Sequence, residues 1–470
     1  MAREAGLIRR GVLWLLLLGP FFFLSYGLAN NYTAGREDVG SLVFAWERHM
    51  PLWPWTIIPY WSIDLLYGLS FLLPHTRREM DRHALALLTA QLVSVACFLL
   101  WPLRFTFERP ELSGLFGWLF DVLMGFDKPY NQAPSLHIAL LVIIWTMFAR
   151  HTQQPMWRWL VHGWMGLIGV SVLTTWQHHF IDLPTGALAG FVCLWLWPRQ
   201  GPLPWQQARL ARDPKRWRMA LRYGLGAMLL AVLALKLGHV SLWLLWPAVS
   251  LLLVALNYGL FGAGGFQKGA DGQLSIAASV LLAPYLLAAW ANSRLWTRQH
   301  PQADEVLDGV YLGRIPGHGE ATAFAAVIDL CAELACTDAI AGQARSHALG
   351  NSSSEAAWER RCAAATCPAM ALEQPVQYYQ SLPSLDLIAP SRQTLEQAAA
   401  AIEHLRQHGP LLVCCALGYS RSASAVAAWL IISGRCSDAS QAEMLIRKAR
   451  PRVVLHPAHR QVLQQLEARP

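Results

Sequence analysis

Residues Pro410-Leu411-Leu412-Val413-Cys414-Cys415-Ala416-Leu417-Gly418-Tyr419-Ser420-Arg421-Ser422 decide how the C-terminal part of this chain folds. Residues 410–413 read as a short buried strand, a loop containing Gly418 follows, and Ala423–Ser433 continues as an apolar helix. Strand, tight loop and helix N-terminus together make an anion site, because backbone N–H groups and the helix dipole point inward. Cys415 opens the loop, a setting in which a thiol reacts as a thiolate nucleophile. Arg421 can meet the same anion with two parallel N–H donors and stabilise its charge. A cysteine and an arginine six residues apart are common by chance. The strand before them, Gly418 inside, Ser422 after and the helix beyond make the pattern specific.

Outward from this loop the chain reads as globular. Asp308-Gly309-Val310-Tyr311-Leu312-Gly313-Arg314 predicts a strand and turn, and Ala325–Leu330 a second strand. Residues 340–370, with Asn351 and Ser354, predict a loop or irregular insert. Ser391 is placed as the N-cap of a helix ending near Gly409. Over about residues 303–465 this segment resembles the dual-specificity branch of the protein tyrosine phosphatases. The resemblance implies an α/β cysteine-phosphatase domain, a central sheet flanked by helices, over residues 301–470. It implies that Cys415 attacks phosphorus, that Gly418 helps cradle the phosphate, and that the Ser422 hydroxyl helps the thiolate leave. It also assigns the general acid to Asp386, in Leu382-Pro383-Ser384-Leu385-Asp386, 29 residues before Cys415. One departure is Cys414, where that family usually carries a histidine.

The first 300 residues are of another kind. The 470-residue chain is 54% hydrophobic and only 14% charged, against roughly 25% charged in an average soluble protein. Of 22 tryptophans, only Trp358 and Trp429 lie beyond residue 300, whereas seven of nine cysteines follow residue 330. Apolar runs of spanning length recur at 11–29, 54–74, 83–103, 134–149, 158–176, 180–197, 222–238, 240–259 and 274–293. The first is long and followed by others, so it reads as a retained span rather than a cleaved leader. This predicts an all-α multi-pass membrane bundle, divided into residues 1–50, 51–200 and 201–300. The net charge of +8 is concentrated in loops between runs, which fits membrane orientation and not nucleic-acid binding. Arg77, Arg78 and Arg82, the stretch from Arg199 to Arg222, and Arg3, Arg9 and Arg10 all mark a cytoplasmic side.

Six crossings then bring residues 104–133 and the junction near residue 178 to the outer face. There His178 and Asp182 are four apart, a spacing at which one helical face presents both. A carboxylate so placed holds one imidazole nitrogen and leaves the other as nucleophile or base. His137, in the first turn of the fourth run, reaches the same surface as a proton donor. Arg104, Arg109 and Lys128 can gather phosphate charge.

Arg109-Pro110, Pro134-Ser135-Leu136-His137 and His178-x-x-x-Asp182 resemble the type-2 phosphatidic acid phosphatase superfamily, over about residues 50–198. That resemblance implies His178 as nucleophile, His137 as general acid, Asp182 as the group orienting His178, and Ser135 as a phosphate contact. Pro102 and Val172 stand where the family has Lys and Arg, and Leu136 where it has Gly. Such a pattern is also similar to the inositol-phosphotransferase and sphingolipid-synthase branch, which keeps transfer to a second lipid alcohol open beside hydrolysis.

The expected substrates are lipid phosphates or other phosphomonoesters, with membrane lipids as surroundings and no metal or cofactor required. The expected location is a bacterial inner membrane with the histidine site on its periplasmic face. Nine full crossings place the cysteine domain outside as well. Three features favour the cytosol instead: the seven late cysteines, Arg294 and Arg298 after the ninth run, and Pro284 within it, which suggests a re-entrant segment. Gly262-Ala-Gly-Gly-Phe-Gln-Lys268 and Pro284-Tyr285 resemble a membrane hairpin that precedes some bacterial phosphatases, with no chemistry assigned to it.

Overall fold

The computed structural model describes residues 3–125, 127–317, 319–336 and 378–467. The insert expected at 340–370 lies outside the described residues. The chain divides into two compact units, Met1–Leu203 with Leu237–Leu242, and Pro204–Lys236 with Trp243–Pro470. Residues 201–300, read above as a segment of their own, therefore belong mostly with the cysteine-bearing domain.

The first unit is helical. Its helices are α1 (Leu7–Ala34), α2 (Ile57–Ser70), α3 (Arg77–Leu100), α4 (Gly114–Met124), α5 (Leu136–His151), α6 (Pro155–Thr174) and α7 (Asp182–Leu196). Each of the first six apolar runs is found as a helix, shifted by a few residues. The α4 helix was not expected, because its 11 residues are too few to register as a span; it tucks Phe120 and Leu123 inward. The N-terminus of α3 is capped by the Thr76 hydroxyl, which accepts from the Glu79 N–H at 3.1 Å. Small residues set the approach of α5 to α7. A Cβ on Gly186 would sit 2.5 Å from the Ser135 carbonyl oxygen, and one on Gly190 would sit 2.8 Å from that of Ala139. Glycine spaced by four lets the two helices meet backbone to backbone.

The second unit opens with α8 (Pro214–Leu237) and α9 (Leu245–Leu256), the latter continued through a π turn, Asn257–Phe261. A tight turn pairs Lys268 with Leu274 before α10 (Ile276–Leu281) and α11 (Ala283–Thr297). The ninth expected span is thus broken at Leu282, just ahead of Pro284, whose missing N–H cannot continue a helix. Four described helical stretches are long and apolar enough to cross a membrane: Leu7–Ala34, Arg77–Leu100, Pro214–Leu237 and His239–Phe266.

The rest is an α/β fold around one five-stranded mixed sheet. Its strands are β1 (Asp304–Leu307), β2 (Val310–Arg314), β3 (Ala326–Cys331), β4 (Tyr378–Ser384) and β5 (Leu411–Cys415), in the order β1-β2-β5-β3-β4. Only β1 and β2 run antiparallel; β5 lies parallel between β2 and β3. Every residue of β3 and β5 is buried, as expected of central parallel strands covered on both faces. Helices α12 (Arg392–Leu405), α13 (Arg421–Ile432), α14 (Ala439–Ala449) and α15 (Pro457–Glu467) complete the domain. Ser391 caps α12 as expected, accepting from the Thr394 N–H at 3.1 Å. The centre of the core is Trp429 on α13, whose indole N–H donates to Glu403 at 2.7 Å.

Candidate active site

The strand β5 ends at Cys415 and α13 begins at Arg421, so residues 416–420 must turn within one loop. Gly418 makes the turn possible: its φ is +75°, and a Cβ there would lie 2.4 Å from the carbonyl carbon of Gly313 on β2. The loop closes on the sulfur. Cys415 Sγ receives the Gly418 N–H at 3.3 Å and the Ser422 hydroxyl at 3.2 Å.

Arg421 is 2% exposed and held on all sides. Its two terminal nitrogens reach Glu333 at 2.8 and 2.6 Å, and one also donates to the Ser384 carbonyl at 2.8 Å. Asp386 Oδ1 lies 3.0 Å from the other. Burial works against the guanidinium charge, but Glu333 and Asp386 outweigh it and hold Arg421 well above its ordinary value. Burial pushes the Asp386 carboxyl up; Arg421 opposes this and Glu333 adds to it. Glu333, which burial alone would raise, is held below the usual range by Arg421.

Glu333, just after the expected second strand, was given no role in the sequence reading. It lies 88 residues from Arg421, and no local spacing announces that pair. The part-buried contact of His459 Nε2 with Ser420 Oγ, at 2.9 Å, was equally silent. Burial brings His459 down to about 4. Cys414 stands where the resembled family carries a histidine next to the nucleophile. Successive side chains of a strand point to opposite faces, so Cys414 packs with Ala321, Val327, Cys336 and Leu412. Burial pushes its thiol well up.

In the helical unit the second constellation is partly assembled. His178 Nδ1 meets Asp182 Oδ2 at 3.1 Å and His178 Nε2 meets Ser135 Oγ at 3.2 Å. The route differs from the expected one, because α7 starts only at Asp182. His178 precedes it in a turn, and Asp182 also accepts the His179 N–H at 3.0 Å. The close approach of α5 to α7 brings Ser135, the N-cap of α5, to the imidazole. His137 stacks on Tyr60 with ring centroids 4.3 Å apart.

The expected basic residues divide. Arg109 donates to the carbonyls of Thr175 and Trp176, at 2.9 and 3.0 Å, immediately before His178. Lys128 is exposed and donates to Asn31 at 2.6 Å, and the Arg104 side chain is exposed. Neither joins the histidines. Sequence reading missed His179 and Glu47, which pair at 3.0 Å, while the Thr106 hydroxyl meets the other ring nitrogen at 3.1 Å. That pair ties the Arg104–Arg109 segment to the histidine junction. Buried polar atoms without a partner gather in the same segments: His137 Nε2, Asp182 Oδ1, Gln132 Oε1, Gln177 Nε2 and Arg109 Nε. Unmet hydrogen-bonding capacity of this kind calls for a polar ligand or water.

Among the described residues one further cluster has the composition of a metal site: His75, Glu79 and His151. Arg199 and Arg150 approach the same Glu79 oxygen as His151, at 3.3 and 3.6 Å, and two guanidinium groups there neutralise the charge a cation would need.

The dual specificity phosphatase catalytic-domain family matches residues 362–469. Among solved structures, Tk-PTP in its active form is 25% identical, with 36% of this chain and 99% of that one covered and a TM-score of 0.25. PTPMT1 in complex with PI(5)P is 20% identical (35% and 94% covered, TM-score 0.25), and human DUSP28 is 20% identical (36% and 93%, TM-score 0.26). No curated protein matches the chain. The C-terminal domain is a dual-specificity phosphatase domain, and the chain is a phosphoric monoester hydrolase.

Proposed function

We propose that the chain is a membrane-bound phosphatase whose cysteine site hydrolyses phosphomonoesters, lipid phosphates foremost, through a phosphocysteine intermediate. The observation that carries this is the Cys415 sulfur held at the N-terminus of α13 by the Gly418 N–H and the Ser422 hydroxyl, beside a fully buried Arg421. In the first step Cys415 Sγ bonds to phosphorus while the ester oxygen departs with the proton of Asp386. Arg421 takes the charge of the transferring phosphoryl group. In the second step water attacks phosphorus and gives a proton to the Asp386 carboxylate, while the sulfur leaves as thiolate with help from Ser422. The raised Asp386 carboxyl suits a group that must start protonated.

A second reading concerns the helical unit, where we assign His178 as nucleophile, His137 as acid and Asp182 as the orienting carboxylate of a separate phosphoryl-transfer site. What favours it is that Asp182 holds Nδ1 while Nε2 meets only the Ser135 hydroxyl, in segments that also carry unpartnered buried polar atoms. Hydrolysis and transfer to a lipid alcohol share these roles.

The cysteine domain is assigned to the cytosol. Support comes from the ninth apolar run, both of whose ends touch that domain. Lys268 before it bonds Asp329, and Ser293 near its end donates to the Ala416 carbonyl at 2.5 Å. A full crossing would separate its ends by roughly 30 Å, so this run returns to its starting side. Eight crossings then leave the C-terminus on the side of the N-terminus.

Phosphate release by the full-length protein from an aryl phosphate and from lipid phosphates tests the assignment. Activity that persists in Cys415→Ser on the aryl phosphate would falsify the cysteine mechanism.

A further inference from the structure

We propose that the hairpin segment before the cysteine domain is a working part of the phosphatase site, with Tyr258 and Lys268 as positioning residues for Asp386 and Arg421. The inference rests on the cysteine mechanism given above and assigns it residues outside the catalytic domain itself.

Three hydrogen-bond sets connect the hairpin to the three parts of that mechanism. The first concerns the acid. The Tyr258 hydroxyl, in the π turn after α9, donates to the Asp386 carbonyl at 3.0 Å. Asp386 has no regular element to fix it; β4 ends at Ser384, and Leu387 adopts a left-handed φ of +60°. Tyr258 is 1% exposed and stacks on Tyr223, ring centroids 5.6 Å apart, so its hydroxyl is itself fixed. Arg216 on α8 donates to the Tyr258 carbonyl at 2.8 Å and anchors the same residue from behind.

The second concerns the arginine. Lys268 Nζ contacts Asp329 Oδ2 at 2.5 Å and the carbonyls of Cys331 and Leu334 at 2.7 Å each. Both side chains of the ion pair are 0% exposed. Burial alone would lower the Lys268 ammonium, but Asp329 outweighs it and holds the group raised, hence charged. The two carbonyls flank Glu333, the residue that grips Arg421. An ammonium bonded to both sides of Glu333 fixes the backbone from which that carboxylate projects. The third concerns the loop: Ser293 on α11 donates to the carbonyl of Ala416, the residue after the nucleophile.

A side chain that merely glued two segments together could bond anywhere along β3 or α13. These bond beside the acid, beside the partner of the arginine, and inside the loop. Catalysis by the domain is therefore expected to depend on residues that the membrane-proximal hairpin supplies.

The test uses the full-length protein in detergent with two substrates, phenyl phosphate and 2,4-dinitrophenyl phosphate, and inorganic phosphate as inhibitor. The phenolate of the first needs a proton as it leaves; that of the second does not. Tyr258→Phe should slow phenyl phosphate turnover by about 10-fold while leaving the dinitrophenyl ester within about twofold. Lys268→Met should weaken inhibition by inorganic phosphate by about 10-fold, and Lys268→Arg should restore most of it. Equal loss on both substrates in Tyr258→Phe, or no loss on either, overturns the inference, as does unchanged phosphate inhibition in a folded Lys268→Met. Cys415→Ser run alongside separates the two failures. If it is inactive while the hairpin variants behave as the parent, only this inference falls; if it stays active, the mechanism beneath falls.

Discussion

The two candidate sites hold their charged groups in opposite ways. In the cysteine domain the two central groups are already satisfied: Arg421 has Glu333, the Ser384 carbonyl and Asp386, and Cys415 has two donors. In the helical unit His137, Asp182, Gln132, Gln177 and Arg109 each keep a buried polar atom with no partner. The first site is built around one loop whose residues are consecutive, so its backbone completes the hydrogen bonding. The second is made from the ends of α5, α6 and α7, which meet only because Gly186 and Gly190 permit close packing. A site pre-organised by its own backbone is expected to bind phosphate rigidly. One assembled between helices leaves its polar atoms for substrate to satisfy.

The largest expected effect separates the sites outright. Cys415→Ser should reduce aryl phosphate turnover in the full-length protein by roughly 10⁴-fold or more, since a hydroxyl does not ionise at neutral pH. His178→Ala should leave that reaction untouched and remove whatever lipid phosphate turnover survives Cys415→Ser. If both variants lose the same activity, the two sites are not independent and the comparison breaks.

Next in size, Asp386→Asn should slow phosphoryl transfer by roughly 10²–10⁴-fold. Because burial raises the Asp386 carboxyl, its protonated form persists above the ordinary carboxylate range. The parent rate is therefore present below that raised value and falls as pH climbs through it. In Asp386→Asn this basic limb should disappear from the pH profile; an unchanged limb would assign the acid elsewhere. Between the basic residues of the helical unit a smaller contrast is expected. Arg109→Ala should cost about 10-fold or more in lipid phosphate turnover, as its guanidinium holds the two carbonyls before His178. Lys128→Ala should change turnover by only about twofold, because an exposed ammonium on Asn31 gains little from its charge. Equal losses would show that Lys128 does reach the substrate.

Sequence reading went furthest where a feature is local. The phosphate loop, the Ser391 cap and the apolar runs each depend on neighbours within a few residues, and each is found. Reading failed where periodicity was too short to register, as in α4, and it did not find β4. It also assigned His178 to a helical face, whereas the turn before α7 presents it.

By itself, then, the amino-acid sequence determined a helical, apolar N-terminal half, an α/β C-terminal domain, and the residues of a cysteine loop. Backbone hydrogen bonding and hydrophobic periodicity act over a few residues and leave their mark in order along the chain. Only the tertiary structure decided what those residues touch. Glu333 on Arg421, Lys268 on Asp329, Tyr258 on the Asp386 carbonyl and Glu47 on His179 join positions 61 to 132 residues apart. Such pairs are fixed by which buried charges and carbonyls can find a partner once water is excluded. That requirement belongs to the packed interior and writes no pattern into neighbouring residues.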